Sequence, residues 1–235
     1  MHSNNTLRRY FLLVLVVGCM GSAHLYAQDV LETPMGQVDN LLQGRIYEAA
    51  YDGVKGSQYL SDIWQEGQIE LLGHSYSELP LLYDIFQDEL VLLYRQPSSI
   101  DFIQLIKGYI TRFILGQRLF INIEYSTYRD LRLEPGFYEL LVEDSASLLI
   151  KRRMDVQPEN SVSNFVRRDE RYLIFKGKAF WIRRKGVFFK AIGDTYKKQV
   201  QRFMKENNIR LNKRATDSEW LAVIEYLNNL QTEVE

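Results

Sequence analysis

The chain has 235 residues, 46% hydrophobic and 25% charged, with 29 basic residues against 30 acidic ones. That balance argues against a protein held to nucleic acid by bulk positive charge, and a single cysteine excludes any disulfide within the chain. Of three histidines only His74 lies beyond residue 24, which excludes His/Cys zinc clusters and leaves a Ser-His-Asp or Cys-His grouping nothing but that one residue to use.

The first segment reads as an export signal. Arg8 and Arg9 precede the apolar run 10–17, and polar residues return at Gln28 and Asp29. The run is shorter than the roughly 18–20 apolar residues a spanning helix needs, and no later segment is long and apolar enough to be one. Cleavage after Ala27 leaves a mature chain beginning at Gln28, and retention of the segment as an N-terminal anchor helix is the competing reading. Val16-Val17-Gly18-Cys19 also has the small-residue-then-cysteine form of a bacterial lipoprotein signal, so Cys19 is a second candidate processing point, with lipid on the new N-terminal cysteine.

Residues 28–56 form a weakly patterned lead-in with a short helix expected around 38–50. Residues 57–190 read as an antiparallel β-rich domain, and 191–235 as a helical tail packed on it. Alternating apolar positions predict strands over 68–72, 79–86, 89–94, 100–105, 109–115 and 118–125. Gly73-His74-Ser75 supplies a turn, and 109–115 is expected to return beside 100–105. Strands 137–143 and 147–153 flank a turn at 144–146, and 157–164 reads as a loop. The clearest hairpin is 171–176 with 179–184 around Gly177-Lys178, one face apolar and the other strongly basic.

The apolar period then changes to about 3.6. Asp194 caps a helix over 195–207 whose stripe is Tyr196, Val200, Phe203 and Met204. Thr216 and Glu219 make a capping box ahead of a last helix. The fold class expected is α+β, mainly β: an antiparallel meander sheet, sandwich or open barrel, followed by two C-terminal helices packed over part of the sheet.

Charge is uneven along the chain. Residues 28–150 hold 19 acids and 8 bases, whereas 151–214 hold 19 bases and 6 acids. One reading is attraction between two parts of one fold; the other is a basic surface for an anionic partner, an envelope protein or a membrane surface. The candidate binding residues are Arg183, Arg184 and Lys185, with Lys197 and Lys198 on the following helix. No catalytic set, cofactor motif or metal site emerges. The one constellation that could serve an enzyme is Tyr83, Asp84, Asp88 and Glu89, as paired carboxylates for hydrolysis or as oxygen ligands for calcium.

Several short motifs carry a resemblance. Gly56-Ser57-Gln58-Tyr59-Leu60, Trp64 and Gly67, then Leu82-Tyr83-Asp84-Ile85 with Asp88-Glu89-Leu90, and Phe137-Tyr138-Glu139-Leu140-Leu141 are joined by Lys197-Lys198 and Asn207-Asn208-Ile209-Arg210-Leu211. Together they resemble a family of uncharacterised exported proteins of Bacteroidota-type bacteria, with no known activity, cofactor or site residue to carry over. The resemblance implies a periplasmic or outer-envelope setting. The function expected is a non-enzymatic binding or structural protein of the bacterial cell envelope; the alternatives are a carboxylate-dependent hydrolase and a lipid-anchored envelope assembly factor.

Overall fold

Thirteen short strands and two helices follow from these patterns in a computed structural model that describes residues 41–49, 53–159, 162–212 and 214–232. The segment read as an export signal, with Cys19, and the lead-in through residue 40 lie outside the described residues. The strands are β1 (Arg45–Ile46), β2 (Gln65–Leu71), β3 (His74–Asp84), β4 (Glu89–Arg95), β5 (Ile100–Gln104), β6 (Ile110–Leu115) and β7 (Arg118–Asn122). They continue with β8 (Phe137–Val142), β9 (Ala146–Lys151), β10 (Met154–Glu159), β11 (Val162–Arg167), β12 (Glu170–Phe175) and β13 (Lys178–Trp181). Helices α1 (Lys185–Glu206) and α2 (Asp217–Thr232) complete the chain. The fold is therefore α+β, mainly β, with an antiparallel sheet that does not close into a barrel and two C-terminal helices.

Eleven strands form one sheet in the order β1-β5-β4-β3-β2-β6-β7-β8-β9-β12-β13. Strand β2 is the pivot: one meander runs outward from it through β3, β4 and β5, and a second starts with β6 on its other side. The expectation that residues 109–115 lie beside 100–105 is therefore wrong. A 3-10 turn at Lys107–Tyr109 takes the chain from β5 across to β2, where Ile69 faces Phe113.

The sheet curls until its distant parts touch. Asp88, in the turn between β3 and β4, accepts a hydrogen bond from the Phe137 N–H at the start of β8 (3.3 Å) and pairs with Lys151 at the end of β9 (3.0 Å). Inside the curl Tyr83 meets Phe113, Phe120 and Phe137 edge-on, with ring centroids 5.2–6.0 Å apart. Farther along, β9 and β12 present Leu148, Leu173 and Phe175 to the helices, while Leu149 and Ile174 point to the opposite face beneath Ile123 and Tyr128. Alternation along a strand explains the split. Both faces of β12 are thus apolar, correcting the expectation of one buried and one basic face. The basic residues stand at the ends of the hairpin instead, and its turn is Lys176-Gly177, with φ of +49° and +69°, as a two-residue hairpin turn requires.

Of residues 157–164, expected as a loop, 157–159 and 162–164 belong to a second, two-stranded sheet of β10 and β11. It was hidden because no position of the pair is fully buried, so a strong apolar pattern is missing, and because Pro158 argues against a strand away from a sheet edge. Phe165 ties it to Phe86 (5.5 Å). The short helix expected over 38–50 is corrected in part: Leu41 and Leu42 are helical, but residues 45 and 46 form β1, paired with β5.

Helix α1 begins at Lys185, ten residues before the expected 195. Gly193 breaks its period at φ +74°, ψ 175°, a conformation open essentially only to glycine. The predicted helix is the part after that bend, and Tyr196, Val200 and Met204 are buried as its stripe requires. Phe188 and Ile192, before the bend, join them against Trp220, Val223, Ile224 and Leu227 of α2. The capping box is present: the Glu219 N–H donates to Thr216 Oγ1 (3.2 Å) and the Thr216 N–H to Glu219 Oε2 (2.8 Å). Apart from the adjoining backbone, no atom lies within 4 Å of a Cβ built at Gly193, so Gly193→Ala isolates backbone strain. It is expected to lower stability by about 1–3 kcal/mol, read as a lower urea midpoint; an unchanged midpoint would show that the bend relaxes freely.

Among the described residues no helix is long and apolar enough to cross a membrane.

Candidate functional site

The carboxylates singled out from sequence are each engaged. Asp84, fully buried, accepts the backbone N–H groups of Phe86 (2.9 Å) and Gln87 (3.0 Å) on one oxygen, and Gln58 Nε2 (2.5 Å) and the Tyr47 hydroxyl (2.7 Å) on the other. That accounts for Gln58 in the Gly-Ser-Gln-Tyr-Leu motif: it satisfies a buried acid. Asp88 takes the Tyr83 hydroxyl (2.5 Å) in addition to Lys107 and Lys151. Glu89 sits 3.7 Å from Lys107 beside a cavity of about 230 Å³, and burial raises its pKa above the ordinary carboxylate value despite Lys107. Asp84 and Asp88 do not border that cavity, so the three acids do not converge. Among the described residues no three His, Cys, Asp or Glu side chains are grouped to hold a metal ion.

A larger charged system is built around Arg152. Arg152, with its side chain 3% exposed, donates to Glu139 (2.6 Å), Asp169 (2.7 Å) and Asp217 (2.7 Å). Arg118 also pairs with Glu139, and Arg171 with Asp217 (2.7 Å). Burial opposes the charge on Asp217, but Arg152 and Arg171 outweigh it and hold the carboxyl below its ordinary pKa.

Outside this network lies a corner rich in unpaired cations. Beyond β13 the backbone turns at Ile182 into α1, leaving Arg183, Arg184 and Lys185 exposed in sequence. The Arg183 guanidinium covers the Trp181 ring at 4.5 Å, a cation–π contact. Arg184 and Lys185 have no ion-pair partner among the described residues. The corner borders two clefts. One, of about 710 Å³, lies between the β10–β11 hairpin, the ends of β12 and β13, and the start of α2. Its floor is Ile182, Leu211 and Trp220, and its acids Asp155, Asp169 and Glu170 are each paired with an arginine. The other, of about 1000 Å³, is set in the elbow of α1 and shares Arg184 and Lys185.

The structure therefore gathers three of the five predicted binding residues, Arg183, Arg184 and Lys185, around the first cleft and adds Arg168 and Arg171, which sequence reasoning passed over. Lys197 and Lys198 line neither cleft; Lys197 lies 3.7 Å from Asp194 on its own helix. Arg171 was visible only as a strand charge, and its place became clear once β12 and β13 were paired.

Comparison with protein-family models, curated protein sequences and solved structures finds no match to this chain.

Proposed function

We propose that the protein is a non-catalytic binding protein of the bacterial cell envelope that holds an anionic partner at the Arg183-Arg184-Lys185 corner. The observation that carries this reading is the contrast in pairing: the buried cations are matched to acids, whereas three consecutive exposed cations stand beside two clefts. Unmatched charge of that kind attracts and orients an oppositely charged partner. The export setting is read from the N-terminal segment, which is cut after Ala27 or, in the competing lipoprotein reading, before Cys19 with lipid on that cysteine.

The test is crosslinking in the native envelope with the Arg183→Glu/Arg184→Glu/Lys185→Glu protein beside the parent. Glutamate in the first turn of α1 suits the helix dipole, so the change reverses the corner without working against the helix. A tenfold or greater loss of crosslinked partner, with unchanged circular dichroism and with capture by the parent falling as salt rises, is expected. Equal capture by the two proteins would remove the corner from the function.

A further inference from the structure

We infer that the elbow groove of α1 takes a single anionic lipid, its oxyanion head at the basic corner and its aliphatic tail in the groove. The inference rests on the binding reading above and names its ligand.

The bend at Gly193 turns the second segment of α1 back so that Gln201 lies along the same groove as Val187 and Ala191 of the first segment and Phe180 of β13. Phe180, Val187, Phe189 and Ala191 are all half-buried, which makes an apolar trough open along one side. Its charged lining is Arg184, Lys185 and Lys190, and no acid contributes to it. None of these three cations has an ion-pair partner among the described residues. An apolar trough with cations of one sign on its rim is complementary to a molecule with a negative head and an apolar body. A volume of about 1000 Å³ stands at the upper end of the range for small-ligand pockets, roughly 300–1,000 Å³. An acidic protein fits less well, because its charges would meet the rim while the trough stayed open.

The experiment is calorimetric titration of the purified protein with hexyl phosphate, octyl phosphate, inorganic phosphate and the uncharged octyl glucoside, all below their aggregation concentrations. Each methylene that leaves water is worth roughly a fourfold gain in affinity, so octyl phosphate is expected to bind about fifteenfold more tightly than hexyl phosphate. Octyl glucoside and inorganic phosphate are expected at least tenfold weaker than octyl phosphate. Lys190→Glu and Ala191→Trp, which reach this groove but not the neighbouring cleft, are each expected to weaken octyl phosphate tenfold or more. The chain-length series varies the ligand and leaves the protein intact.

Equal affinity for hexyl and octyl phosphate overturns the inference, as does octyl phosphate binding that ignores both variants. Binding to phosphatidylglycerol vesicles without binding to monomeric octyl phosphate also overturns it, since the corner would then read a surface. In each case the envelope crosslinking decides separately on the anion-binding reading: a partner still lost on reversal of Arg183, Arg184 and Lys185 keeps that reading while the lipid inference falls.

Discussion

Replacement of Asp88 by alanine is expected to lower stability by about 3–5 kcal/mol, the range for leaving a buried charge without its partner. Lys151, whose side chain is 4% exposed, has Asp88 as its only acid among the described residues and also donates to the Pro135 carbonyl (3.1 Å). The same carboxylate receives the Phe137 N–H and the hydroxyl of fully buried Tyr83. Its loss therefore strands one cation, one amide and one phenol where the curled sheet meets itself. Asp88 also sits at φ +59°, which Asn and Asp tolerate better than alanine. Asp88→Asn should consequently lose less, and adding Lys151→Met to it should recover part of the loss, because the orphaned charge goes too. Urea unfolding followed by circular dichroism reads all three. An Asp88→Ala protein within 1 kcal/mol of the parent would mean that the sheet keeps its curl without this contact.

Gly136 supports the same point from the backbone. Its φ is +117°, and a Cβ there would run into Asp88 Oδ2 and Lys151 Nζ. Pro135-Gly136 has the composition of a turn, but the need for glycine comes from a carboxylate 48 positions earlier, which no local pattern records.

That difference between local and distant causes runs through the fold. Hairpins β3–β4, β8–β9 and β12–β13 and the two helices were readable because alternation, turn residues and capping act over a few neighbouring positions. The pairing of β6 with β2 was not, since β5 and β6 are adjacent in sequence and their separation is decided by what the rest of the sheet leaves open. The start of α1 was missed although Phe188 and Ile192 extend the four-residue spacing of Tyr196, Val200 and Met204, because Gly193 reads as a break in a helix and Asp194 after it as a helix cap. At the candidate site the run Arg183-Arg184-Lys185 stood out as charge. Lys197 and Lys198 stood out equally, and only position separates the two groups. Whether a cation is paired depends on which acids the fold brings to it: Arg152 and Arg153 are also consecutive bases, yet both are matched, by Glu139, Asp169 and Asp217 for one and Glu134 and Glu170 for the other.

Arg152→Met should therefore behave as a change to the interior, unlike a change at the corner, with an expected loss of about 3–5 kcal/mol near neutral pH. Glu139, itself 4% exposed at the side chain, would be left to Arg118, and Asp217 to Arg171. The effect has a pH signature. A carboxyl whose folded pKa is depressed contributes stability that is fully present above the ordinary aspartate value, near 3.9, and is lost as pH falls through the lower folded value. Asp217 is depressed by Arg152 first and Arg171 second, against its burial. The parent should therefore lose stability on acidification below about pH 4 more steeply than Arg152→Met, and the gap between the two should narrow there. Unfolding free energies at pH 7, 5, 4 and 3 give that comparison. A gap that stays constant into acid would assign the loss to packing of the Arg152 side chain. A double change, Arg152→Met with Glu139→Leu, should be milder than Arg152→Met alone, because it removes the buried acid that the single change leaves with one partner. That ordering separates charge matching from volume, since the double change alters more of the packing and is nevertheless expected to unfold at the higher urea concentration.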